Sequence, residues 1–239
     1  MGGDLREVWV YLATSPLLAL TLTLAAYQLG FWIYREAGFH PLLNPVLIAV
    51  IVLVSILLLT DTSYATYFEG AQFVHFMLGP ATVALALPLY RQIERVRKSA
   101  LAIAVSLLAG SLTAMITAVG IAMLLGASRE TLISIAPKSV TAPVAMGISE
   151  QFGGLPSLTA VLVILTGIIG AALGPLVLNL IGVKDMAARG LAMGTAAHGI
   201  GTARAFQVSE LAGAFSGLAM GLNALATAIL LPLLWTWFF

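Results

Sequence analysis

The sequence predicts an all-α polytopic membrane protein. Of its 239 residues, 60% are hydrophobic and only 9% are charged, whereas a soluble domain carries about 25% charged residues. Mean hydropathy is +1.04. Four stretches contain no Asp, Glu, Lys or Arg, and each exceeds the roughly 20 residues that cross a bilayer as a helix: 8–34, 99–128, 151–183 and 211–239. We expect about six to eight transmembrane or re-entrant helical elements, all in one membrane domain over residues 1–239.

Composition also excludes several classes of function. The net charge of +1 gives no electrostatic basis for binding nucleic acid. The absence of cysteine excludes disulfides, thiolate metal sites and thiol catalysis. His40, His75 and His198 do not have the spacing of a metal site. No nucleophile–base pattern is apparent, so we expect neither catalysis nor a cofactor.

Loop charges predict how the spans are oriented. The predicted spans are 8–29, 42–60, 72–90, 100–125, 156–181 and 211–239. The loop at 91–98 has four basic residues against one acid, and the loop after 181 carries Lys184 and Arg189, so both are placed in the cytoplasm. The loop at 61–71 has two acids and no base, which suits the outside.

Residues 131–150 lie between the predicted spans 100–125 and 156–181. These two spans cross in opposite directions, and by themselves they already place both basic loops in the cytoplasm. With both basic loops inside, this segment crosses the membrane an even number of times, and a re-entrant hairpin is the simplest solution. Pro137 and Pro143 favour a break, because each removes a backbone donor and kinks a helix. The alternative is a proline-kinked full span with one basic loop outside.

Short matches suggest an internal pseudo-repeat of residues 41–130 and 136–237, with offsets of about 95 residues. Duplicated units with Gly- or Pro-broken helices are typical of transporter cores. Residues 131–150 and 190–210 are the two candidate discontinuous helices.

The first candidate site is the run PKSVTAP at 137–143. Lys138 is a cation in a mostly apolar segment, beside the hydroxyls of Ser139 and Thr141. The start of a helix after a break would expose N–H groups that attract a carboxylate together with Lys138. The alternative is that Lys138 lies at the membrane surface and snorkels.

The second candidate site lies in the glycine-rich segment 190–210. On a continuous helix, Thr195, His198 and Thr202 share one face. Arg204 joins them only if the chain unwinds at 199–201. Arginine suits a carboxylate because its planar fork binds both oxygens, and histidine can carry a coupled proton. The alternatives are a helix-packing role for His198 and an interfacial anchor for Arg204. Glu210 is then either the ion partner of Arg204 or the cap of the last helix.

Gly213, Gly217 and Gly221 recur at every fourth residue of the last span. This spacing predicts a groove of small residues against which another helix packs closely. That helix belongs either to the same chain or to a second protomer in a homo-oligomer.

Four segments resemble the LrgB/CidB family: PLLNPVLIAV at 41–50, LGPATVALALPLY at 78–90, PKSVTAPVAM at 137–146 and KDMAARGLAMGTAAHGIGTARA at 184–205. The resemblance extends over nearly the whole chain. It implies either of two functions. Bacterial members are described as modulators of murein hydrolase activity and cell lysis, acting with a smaller, holin-like LrgA/CidA partner. Plastid relatives, in which both parts are fused, resemble a glycolate/glycerate translocator, and some bacterial relatives are tied to pyruvate.

We therefore expect a transporter of small monocarboxylates, such as glycolate, glycerate, pyruvate or lactate, in the cell (cytoplasmic) membrane. Its expected site residues are Lys138 or Arg204 for the carboxylate, Ser139, Thr141 and Thr202 for the neighbouring oxygen, His198 for a coupled proton, and Thr195 and Asn44 as further members. The alternative is a regulator of murein hydrolase activity that acts with a separate LrgA/CidA-like membrane protein.

Overall fold

The structure, a computed structural model, describes residues 16–40 and 43–238. These two ranges contain helices and no strand, which confirms the predicted all-α fold class. We number the helices in chain order: α1 (Pro16–Glu36), α2 (Pro45–Leu59), α3 (Tyr64–Ala84), α4 (Ala86–Arg91), α5 (Ile93–Lys98), α6 (Ala100–Leu124), α7 (Arg129–Ile135), α8 (Ala142–Gln151), α9 (Pro156–Leu180), α10 (Met186–Val208) and α11 (Glu210–Phe238).

Four of the described helices are long and apolar enough to cross a membrane: Leu17–Glu36, Ala100–Leu124, Pro156–Leu180 and Glu210–Trp235. A fifth span exists if Tyr64–Val74 and Gly79–Arg91, which are bent by 40° relative to each other, count as one. Pro45–Leu59 is apolar but shorter. The chain is therefore a multi-pass membrane protein. Residues 8–15 of the predicted first span lie outside the described residues.

The chain divides into two compact units, Met1–Ala84 and Leu85–Phe239. In the first unit, α1 packs against both α2 and α3. The contact with α2 is close because Gly30 has no side chain; a Cβ there would lie 2.6 Å from the carbonyl oxygen of Pro45. The contact with α3 includes a 2.6 Å hydrogen bond between the hydroxyls of Thr23 and Tyr67.

The second unit contains a re-entrant hairpin made of α7, a turn at 136–141 and α8, which we call the first hairpin. Both of its outer ends lie against one residue near the end of α11: the guanidinium of Arg129 is 6.0 Å from the ring centroid of Trp235, and the ring of Phe152 is 5.4 Å from it. The turn of this hairpin contacts Asn223, which precedes Trp235 on α11 by 12 residues. Along a helix this separation is about 18 Å. The structure therefore confirms the predicted re-entrant hairpin and not the alternative of a proline-kinked full span.

Helix α10 is a second hairpin, because its backbone breaks at His198 (φ 41°, ψ −131°). Before the break the chain runs parallel to α11: Gly190 lies against the carbonyl of Ala212, and Gly194 against that of Ser216. After the break it runs antiparallel, because Thr202 contacts Ser216 while Phe206 contacts Gly213. The second hairpin (Met186–Val208) therefore opens toward the start of α11, opposite to the first.

Two surface ion pairs hold the open end of the second hairpin. Arg91 pairs with Glu210 and Arg95 with Asp185, both at 3.0 Å. The basic segment at 91–98 thus lies at this end, which the charge rule assigns to the cytoplasm. Glu210 pairs with Arg91, so the alternative in which it is the ion partner of Arg204 is wrong.

A hairpin followed by one long helix occurs twice in this unit, at 129–180 and at 186–238. The two copies open toward opposite ends of α11, as in the inverted repeats of secondary transporters. This duplication is shorter than the suggested repeat of 41–130 and 136–237, which remains a prediction.

We expect the packing of the second hairpin on α11 to depend on Gly194. A Cβ at this position would collide with the main chain of Ser216, and Gly194→Ala should lower the free energy of unfolding by about 1–3 kcal/mol. Gly221→Ala is the matched control, because nothing lies within 4 Å of a Cβ there. Thermal unfolding in detergent compares the two, and equal melting temperatures would contradict the packing.

Candidate functional site

The turns of the two hairpins meet at Asn223, near the middle of α11. The Asn223 side chain is fully buried. Its Nδ2 atom donates hydrogen bonds of 3.1 Å to the carbonyl oxygen of Ser139, in the first hairpin, and to that of Thr195, in the second. Because both bonds share one nitrogen, the carbonyl oxygens of Ser139 and Thr195 are at most twice 3.1 Å apart. One carboxamide therefore joins two stretches of interrupted helix at mid-depth, where backbone groups need partners within the protein.

The first turn holds Lys138 between two prolines. Pro137 ends α7, whereas Pro143 is tolerated in the first turn of α8, where its missing N–H is not needed. Lys138 is half-buried, and its Nζ atom lies 3.4 Å from the hydroxyl of buried Ser139. Thr141 precedes α8, but its hydroxyl makes no capping bond. Lys138 and Thr141 therefore keep polar groups available for a ligand.

The second turn is anchored by His198. Its Nε2 atom is 3.0 Å from the carbonyl of Val163 on α9, so Nε2 carries the proton and donates it. Gly167 leaves room for the ring; a Cβ there would lie 2.7 Å from the His198 Cε1 atom. A positive φ in a residue other than glycine costs about 1–3 kcal/mol. His198 therefore has the helix-packing role given above as the alternative, and its hydrogen bond to Val163 offsets the backbone strain at this residue.

The ammonium of Lys138 makes the meeting of the two turns an electropositive centre. One helix ends before each turn and another begins after it, so the helix dipoles largely offset each other and the positive charge comes from Lys138. Lys138 and His198 lie in the same region, because Asn223 bonds Ser139, the residue after Lys138, and Thr195, three residues before His198. Among the described residues, no carboxylate forms a salt bridge with Lys138. A small anion fits such a centre because it would neutralise an unpaired, half-buried cation.

The hydroxyls of Thr195 and Thr202 already have partners in the protein. Thr195 Oγ1 donates to the carbonyl of Leu191 at 2.8 Å. Thr202 Oγ1 donates to the carbonyl of His198 and is 2.9 Å from the hydroxyl of Ser216. The break at His198 also removes the continuous helix face that they were expected to share. Both residues lie near the second turn, where the structure gives their hydroxyls packing roles.

Arg204 does not join this centre. The break comes at His198, before the expected unwinding at 199–201, and those residues are helical. Arg204 is therefore six residues along an intact helix, about 9 Å from the turn. It donates to Gln207 at 2.9 Å and lines a small cavity of about 20 Å³ with Arg189 near the open end of the hairpin.

Asn44 and the glycine groove of α11 both have structural roles. In the first unit, the Oδ1 atom of Asn44 caps α2 by accepting from the N–H of Val46 at 2.8 Å, and a part for Asn44 in the site stays a prediction. The glycine groove of α11 is partly filled by the same chain, because Phe206 covers Gly213 and Leu85 approaches Gly217. Of the three glycines, Gly221 is open. A homo-oligomer through this face remains a prediction.

Asn223, Val163 and Gly167 complete the site, and sequence reasoning missed all three. Asn223 had a readable signal, since it is the only Asn or Gln in the charge-free stretch 211–239. Polar side chains within a span are costly and mark functional or packing contacts. Val163 acts through its backbone and Gly167 through the side chain that it lacks, so neither could be recognised from residue type.

Comparison with known proteins identifies the family. The model of the LrgB-like family matches residues 23–237. Bacillus subtilis YwbG is 38% identical over 218 residues, covering 91% of this chain and 96% of its own. The holin-like protein CidB of Staphylococcus epidermidis is 34% identical over 92% of this chain and 96% of its own. The antiholin-like protein LrgB of Bacillus cereus is 30% identical over 92% of this chain and 95% of its own. No solved structure matches. The chain therefore belongs to the LrgB-like family.

Proposed function

We propose that this protein transports small monocarboxylates across the cell membrane and is not an enzyme. The observation that carries the proposal is the meeting of two opposed hairpins around the half-buried Lys138. Broken helices that enter from opposite sides and meet at mid-depth are how secondary transporters build their sites. Each hairpin would separate the site from one side of the membrane, and its movement would open that side.

In this mechanism the carboxylate binds the Lys138 ammonium and the N–H groups that begin α8. Ser139 and Thr141 are next to it and can contact an oxygen on the neighbouring carbon. The Nε2 atom of His198 is held by Val163, so Nδ1 is the atom that would take up a coupled proton. Arg204 is too far along its helix to bind the same carboxylate, and we assign it no part in substrate binding.

Uptake into proteoliposomes tests this proposal. The purified full chain should accumulate labelled glycolate, lactate or pyruvate. Lys138→Met should lower the initial rate about tenfold or more, because a hydrogen bond to a charged group contributes about 1.5–3 kcal/mol. Lys184→Met, which removes the same charge from an exposed loop, is the matched control, and it and Arg204→Ala should keep most of the rate. No uptake of any of these acids by folded wild type would contradict transport.

A second candidate is regulation of a holin-like partner, and with it of murein hydrolase activity and cell lysis. The names of the CidB and LrgB relatives, holin-like and antiholin-like, favour this candidate over transport. The geometry gives it less support, because Phe206 and Leu85 of the same chain occupy part of the α11 groove. Gly221 is the glycine of the three that leaves room for a partner helix.

Regulation predicts the opposite ranking of variants. Gly221→Leu should abolish co-purification with an LrgA/CidA-like membrane protein and change the lysis rate of cells, because leucine fills the remaining groove. Lys138→Met should leave both unchanged. Normal lysis with Gly221→Leu, together with altered lysis in Lys138→Met, would contradict regulation through this face.

A further inference from the structure

The Asn223 carboxamide has one atom without a partner. Nδ2 makes two hydrogen bonds, but Oδ1 is buried and accepts none from any described residue. The orientation of the amide is fixed by its surroundings, since the flipped form would set Oδ1 against two carbonyl oxygens. Oδ1 is therefore a pure acceptor beside the two hairpin turns.

The hydroxyl groups along α11 on either side do not bond this oxygen. Thr227, one turn further along, instead lies 3.4 Å from the hydroxyl of Ser111. Ser216, two turns earlier, is bonded to Thr202 at 2.9 Å. A buried acceptor that no protein group satisfies is stabilised by any O–H donor that reaches it, whether from water or from a ligand.

We propose that Asn223 is a specificity-determining residue of the carboxylate site, and that its Oδ1 atom accepts a hydrogen bond from a hydroxyl on the carbon next to the carboxylate. This inference rests on the proposed transport function. Ser139 is bonded to Asn223 through its carbonyl and follows Lys138 in the chain. The Asn223 amide contacts the carbonyl of Ser139, and the Lys138 ammonium contacts its hydroxyl. The same turn thus has a cation for a carboxylate and an acceptor for a hydroxyl.

The chemistry discriminates between acids of nearly equal size. Lactate carries an O–H donor at the second carbon, whereas pyruvate carries a keto oxygen that can only accept. Pyruvate would place this oxygen against Oδ1 with no proton between them. A site that hydrogen-bonds a substrate hydroxyl rejects analogues without it more strongly than a hydrophobic pocket does.

Competition in proteoliposomes tests the inference. Unlabelled lactate and pyruvate are compared as inhibitors of labelled glycolate uptake. Wild type should be inhibited by lactate at about tenfold lower concentration than by pyruvate, and Asn223→Ala should bring this ratio close to one. Thr227→Ala, a buried change one turn along the same helix, is the matched control; it should affect both inhibitors equally and preserve the ratio.

The outcomes separate this inference from the proposed function. Carboxylate uptake without a preference for lactate in wild type overturns the role of Asn223 and leaves transport standing, and this measurement needs no variant. An unchanged ratio in a folded Asn223→Ala also overturns it, because a purely structural role would slow both acids alike. No uptake of any carboxylate by wild type overturns both.

Discussion

The architecture of the second unit depends on how one carboxamide satisfies interrupted backbone at mid-depth. A chain that breaks its helix inside a membrane leaves carbonyl groups that water cannot reach. Asn223 donates to one such carbonyl from each hairpin. Because both bonds come from one nitrogen on the continuous helix α11, the two turns are held at the same level. Lys138 and His198 occupy one region for this reason, although 60 residues separate them.

Glycine makes this arrangement sterically possible. The first leg of the second hairpin lies between α9 and α11, and glycines line both contacts. Gly167 and Gly170 of α9 make room for His198 and Ala197, while Gly190 and Gly194 of the hairpin approach the main chain of α11. The high glycine content near the second turn thus serves close packing, and the turn itself falls on a histidine.

The sequence predicted the elements better than their contacts. The apolar runs were enough for the four long helices, and the two prolines around Lys138 for the first hairpin, because these signals are local. Two of the six predicted spans differ: 42–60 contains a helix of only 15 residues, and 72–90 falls on a helix pair that is bent by 40°. The break was expected among the glycines that follow His198, but it falls on His198 itself. A hydrogen bond to Val163 stabilises the positive φ of this histidine, and residue type alone does not indicate such a contact. Arg204 was misplaced because the reversal at His198 directs the next helix away from the turn.

Labelling at Thr141 tests the central claim, that a small carboxylate binds where the hairpin turns meet, most directly. The natural chain has no cysteine, so a single Thr141→Cys reports this position alone. Its rate of reaction with a small maleimide should fall in the presence of lactate and stay the same with an equal concentration of chloride. A labelling rate that lactate does not change, in protein shown to be folded, would contradict a carboxylate site at the turns.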